Sequence, residues 1–137
     1  MRLTFFLTKP MSFFSCLAVF LGGGVGCLAR FVCSSFIPSP TAVGKFPVQT
    51  FLVNILGCLL IGFLSSLFAN HEDRFCAKNF LISGFCGGFT TFSTFGRETF
   101  SLILSADAPV AVLYVSLSVV LGVLSVALGF YLAQRIF

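Results

Sequence analysis

Residues 84–98 read GFCGGFTTFSTFGRE, and the side chains in that run could handle ions. Thr90, Thr91, Ser93 and Thr94 carry hydroxyls that can donate hydrogen bonds to an anion. Gly84, Gly87 and Gly88 each cost about 1 kcal/mol relative to alanine inside a helix, and the threonines add β-branched crowding. A break near residues 87–91 is therefore expected, and a broken membrane helix exposes carbonyl oxygens that bind cations. Phe89, Phe92 and Phe95 stand three apart, a spacing that predicts one shared face. The positive edge of an aromatic ring can turn toward an anion. The competing explanation for Gly84 and Gly88 is close packing, because small residues four apart often let membrane helices approach.

Polar groups elsewhere could join this chemistry. Thr50, Asn54 and Gly57 fall on one helical face, as do Tyr114, Ser118, Gly122 and Ser125. A lone serine or threonine in a membrane helix usually bonds back to its own carbonyls. Asn54 is harder to set aside, since an amide in lipid needs either an interhelical partner or a ligand. Arg30 could snorkel to the interface or raise the anion concentration at a wet vestibule. Arg97 and Glu98 could anchor a helix end or make a structural pair.

The elements that must position these residues follow from composition. Of 137 residues, 58% are hydrophobic and 9% charged, which excludes an ordinary soluble domain. Four long runs stand out: residues 11–29, 46–69, 79–96 and 108–134 carry no charge. The expected architecture is one all-α transmembrane domain of four helices, spanning about 12–36, 47–69, 78–104 and 109–134, with the third broken near 87–91. A continuous helix over 79–104 would be roughly 39 Å long, more than the hydrocarbon thickness. Prolines and Lys45 mark the first loop, and NHEDRFCAK the second. An N-terminal signal peptide is the rival for the first run, and a start at Met11 would leave that run whole. The six cysteines form no CxxC pair and His71 is the single histidine, so zinc binding, disulfide scaffolding and histidine-based catalysis all lack parts. No enzyme and no nucleic-acid partner is expected.

Three motifs in order resemble the Fluc (CrcB-like) fluoride channels: GGGVGCLARF, FPVQTFLVNILGCLLIG and GFCGGFTTFSTFGRE. The resemblance covers nearly the whole chain from about Met11 onward. It implies a passive fluoride-selective channel in the cell's inner membrane, built as an antiparallel, dual-topology dimer. By motif, backbone carbonyls of Gly87 and Thr90 would hold a central structural Na+ shared between subunits. Phe92 and Phe95 would line the fluoride path with Asn54, Thr50, Ser118 and Tyr114, and Arg30 would sit at the aqueous entrance. Glu98 matches a family glutamate, with Ser93 and Thr94 as neighbouring polar groups. Two positions depart from the pattern: Gln49 stands where a small residue is common, and Gly122 where serine can occur.

Physical reasoning is compatible with that picture. Four helices can hardly surround a pore and also shield its polar wall from lipid, so a second chain is expected. The inside-negative potential would drive fluoride out, at about 2.3 kcal/mol per charge per 100 mV. There is no GxxxxGK[ST] phosphate loop. Outside the spans, Arg2, Lys9, Arg74, Lys78 and Arg135 oppose Lys45, with Arg30 and Arg97 inclining to its side. The partner is thus either a second copy inserted the other way or an oppositely oriented paralogue. The rivals are a small four-helix proton-coupled exporter of toxic cations, for which Glu98 is the candidate carboxylate, and a non-transporting membrane subunit.

Overall fold

The computed structural model describes residues 12–37, 45–69 and 74–136. The alternative start at Met11, the basic Arg2 and Lys9, Pro38 and Pro40 of the first loop and His71 lie outside them.

Everything regular in the described residues is helical. Helix α1 is Phe13–Phe36 and α2 is Val48–Leu67. Helix α3 starts as Phe75–Lys78, widens into a π-helix over Asn79–Cys86 and closes with Gly87–Phe89, the three pieces forming one continuous rod. Helix α4 is Phe92–Leu104 and α5 is Ala108–Ile136. Among these, α1, α2 and α5 are long and apolar enough to cross a membrane. Large apolar side chains such as Phe20, Leu28, Phe31, Val123 and Leu124 stand exposed along α1 and α5. Such faces suit lipid tails rather than water.

Pairing follows the chain in two couples: α1 lies along α3, and α2 along α5. Glycine sets both approaches. A methyl on Gly22 or Gly26 would run into the carbonyls of Phe80 and Phe85, and one on Gly84 or Gly88 into those of Val19 and Gly23. Across the other seam, Gly62 faces the carbonyl of Val126, and Gly129 that of Leu59. Backbones this close gain the dispersion contacts that drive helix association where hydrophobic burial no longer does. Helix α4 leaves α1 and packs against α5 and α2, where Leu102, Ala111 and Tyr114 form a small core with Phe46, Phe51 and Phe95 around it.

The turns are short. Lys45 and Ala106 both take left-handed backbone, with φ of 69° and 59°. The Lys45 ammonium joins both oxygens of Asp107, at 2.7 and 3.0 Å, so the approach to α2 is tied to the α4–α5 turn.

Candidate functional site

The local feature everything else surrounds is a two-residue interruption. Gly87, Gly88 and Phe89 keep helical geometry, whereas Thr90 (φ −83°, ψ 161°) and Thr91 (φ −150°, ψ 114°) are extended. Helix α4 restarts at Phe92 because Thr91 caps it: the Thr94 amide donates to Thr91 Oγ1 at 3.2 Å. Thr91 Oγ1 in turn donates to Thr94 Oγ1 at 3.0 Å and lies 3.3 Å from Ser93 Oγ.

An extended peptide between apolar helices needs partners for its N–H and C=O. Asn54 of α2 supplies both. Its Oδ1 accepts the Thr91 N–H at 2.9 Å and its Nδ2 donates to the Thr91 carbonyl at 3.2 Å. The side-chain amide thus replaces a neighbouring β-strand for one residue. Thr90 is held differently: its amide and its hydroxyl both donate to the Cys86 carbonyl, at 3.0 and 2.9 Å. Its methyl occupies the space that Gly57 leaves by having no Cβ.

These bonds redirect donors. In a continuous helix the Thr91 N–H would go to the Gly87 carbonyl and the Thr94 N–H to the Thr90 carbonyl. Here both are committed to side-chain oxygens. The Gly87 and Thr90 carbonyls lose the donors that would otherwise occupy them.

One turn further along α4, Glu98 accepts two hydroxyls, from Thr50 Oγ1 at 2.8 Å and Tyr114 Oη at 2.9 Å. Tyr114 is fully buried and Thr50 nearly so. The Tyr114 ring lies 5.0 Å from Phe95 and 5.3 Å from Phe46, and Phe95 lies 5.6 Å from Phe92. Of the two structural explanations open for Glu98, pairing is the one realised. Arg97 lines a recess of about 340 Å³ together with Arg30, Gln49, Thr50, Thr91 and Glu98. Arg30 also reaches Cys27 Sγ, at 3.7 Å.

The expected residues are therefore gathered unevenly. Asn54, Thr91 and Thr94 form one bonded group with Ser93 at its outer edge, and Thr50, Tyr114 and Phe95 gather around Glu98 in a second; Thr50, Thr91, Thr94 and Glu98 line the same recess, while Thr90 bonds back to Cys86. Phe92 faces outward and is 83% exposed. The expectation that Phe89, Phe92 and Phe95 share a face is corrected: the interruption rotates one helix against the other, and Phe89 is buried and stacked on Phe85, with ring centroids 5.8 Å apart. Ser118 Oγ is buried and has no hydrogen-bond partner among the described residues. In the sequence Gln49 stands out as a departure from the family pattern and not as a site residue. Its signal was position, just after the loop that follows α1 and opposite a helix end that has no basic residue.

Apolar helices bearing a hydroxyl-rich interruption and an arginine-lined recess make this a multi-pass membrane protein with a polar interior. The family described as CrcB-like protein, Camphor Resistance (CrcB), matches residues 17–130, and the chain belongs to it. It is similar to the fluoride-specific ion channel FluC of Azobacteroides pseudotrichonymphae, 42% identical over 116 residues, covering 83% of this chain and 91% of that protein. The fluoride-specific ion channel FluC of Bacteroides fragilis is 41% identical over 120 residues (85% and 94% covered). FluC 2 of Bacillus subtilis is 39% identical over 119 residues (87% of each).

Proposed function

We propose that this chain is a fluoride-selective channel that lets fluoride leave the cell passively across the inner membrane. The observation that carries the reading is the Asn54 clamp on Thr91, which keeps a hydroxyl-bearing stretch out of helix among apolar segments. Support also comes from relatives named fluoride-specific ion channels that align over most of their length.

In this reading α3 and α4 together make a third, interrupted crossing, and the whole chain is one transmembrane domain of four crossings. Arg30 and Arg97 raise the anion concentration in the recess. A small anion stripped of water must then meet donors whose protons are not already committed. Thr50 and Tyr114 direct theirs at Glu98, so they orient the path rather than bind first. Ser118, with no partner among the described residues, has a proton to offer. Phe92 and Phe95 turn their positive edges toward the path.

The outward-facing Phe92, Ser93, Gly96 and Arg97 call for cover that lipid does not give. A second copy inserted in the opposite direction, or an oppositely oriented paralogue, would provide it. The carbonyls of Gly87 and Thr90, freed of helical donors, are hard oxygen ligands that fit an alkali ion. They would hold a Na+ between the two copies, and that ion would supply fixed positive charge favourable to anions.

A fluoride-electrode trace on the purified protein in liposomes tests the proposal. Fluoride efflux should be fast, chloride efflux negligible, and Phe92→Ile should slow the fluoride flux. Liposomes that retain their fluoride would overturn it.

A further inference from the structure

Gln49 has no role in the reading above, yet it stands on the wall of the recess. It is the second residue of α2, and its side chain reaches back to the end of α1. Nε2 donates to the carbonyls of Ser34, at 3.1 Å, and Ile37, at 2.7 Å. Two carbonyl acceptors settle which way the amide lies, because a flipped group would set its oxygen against both.

The last carbonyls of a helix lack intrahelical partners and together amount to about half a negative charge; at the end of α1, among the described residues, the Ser34 carbonyl takes only a long bond from the Ile37 N–H, at 3.3 Å, besides Gln49. The last turn of α1 contains no basic residue to offset them. Ser34 itself lines the recess, so this negative end opens onto the same space as Arg30 and Arg97. Without Gln49 it would keep only that one long bond, and would oppose the field of the arginines in the recess.

We infer that Gln49 is an electrostatic cap on α1: by occupying the Ser34 and Ile37 carbonyls it keeps the negative helix end from repelling anions at the mouth of the recess. The inference rests on the fluoride-channel reading and assigns Gln49 to the rate of entry rather than to selectivity. Gln49 is a positioning residue, acting through the carbonyls it holds.

The test compares wild type with Gln49→Met, Gln49→Glu and Gln49→Lys, as full chains in liposomes, by initial fluoride efflux per incorporated protein. Met keeps the bulk and loses the donors, and should be about threefold slower. Glu adds charge of the wrong sign and should be about tenfold slower or worse, while Lys restores donors and should at least equal wild type. The spread should narrow as ionic strength rises from about 0.01 to 1 M, because the Debye length falls from about 30 to 3 Å. A mere strap holding α1 in place predicts equal, salt-independent losses for Met and Glu, and that result overturns the cap. Lys slower than wild type also overturns it, and stays readable if Met does not fold. Wild type that passes no fluoride removes the channel reading and the cap with it; wild type that conducts beside variants of equal rate removes the cap alone.

Discussion

The two helices on either side of Thr90–Thr91 are held by different physics. Before the interruption, α3 is fastened to α1 by shape: four glycines let the backbones touch, and each one faces a carbonyl or backbone atom with no space for a methyl. After it, α4 is fastened to α2 and α5 by chemistry, through a carboxylate with two hydroxyl donors, the Asn54 amide on Thr91 and a tilted ring contact. Steric fastening fails all at once when anything is added. A polar network gives way in steps, because each donor can be removed singly.

That contrast orders the expected outcomes. Gly26→Val drives a branched side chain into the Phe85 carbonyl and the Phe89 amide, and should cost about 4 kcal/mol or more. Recovery of folded protein from detergent by size exclusion would fall to background. If Gly26→Val instead folds normally, the α1–α3 seam is not held by shape. Asn54→Leu bares the Thr91 N–H and takes one donor from its carbonyl, and should cost about 2–3 kcal/mol, with fluoride flux reduced at least tenfold. The paired readout matters here: lost flux with unchanged melting would show that the clamp serves conduction alone.

Tyr114→Phe sharpens the comparison on the polar side. It removes one of two donors to Glu98 while leaving the ring contacts, and should lower stability by about 1.5–2 kcal/mol, seen as a lower unfolding midpoint. Lys45→Ala is the smallest expected effect. Its ion pair with Asp107 is two-thirds exposed on the lysine side, so solvent screening holds the loss below about 1 kcal/mol. A drop as large as that of Tyr114→Phe would mean that the strap to the α4–α5 turn matters as much as the buried network.

Some of this is legible in the sequence. Charge-free runs mark α1, α2 and α5, because a bilayer leaves so little room for charge that length alone identifies a crossing. At the glycine-rich run, two explanations competed, and residues there divide between them: Gly84 and Gly88 face α1 backbone, while a methyl at Gly87 would meet nothing within 4 Å. Spacing could not make that division, since it depends on which side of α3 faces α1. The π-helical turns over Asn79–Cys86 were equally hidden, as hydrophobic periodicity does not resolve one extra residue per turn. Glu98 could be seen as a charge needing a partner, but its donors lie 48 and 16 residues away, and only packing brings them together. Phe89 leaves the shared face because one helical period does not carry across the extended Thr90 and Thr91.

Asn54 lies 37 residues ahead of the peptide it clasps, so the chain is made with the acceptor before the group that needs it. If α3 and α4 cross the membrane as one interrupted span, the extended pair would arrive in a membrane that already holds its companion. A permuted chain with α2 made last would present that amide bare to lipid, and glycosylation mapping should find its α3–α4 region inserting less completely than in the natural order.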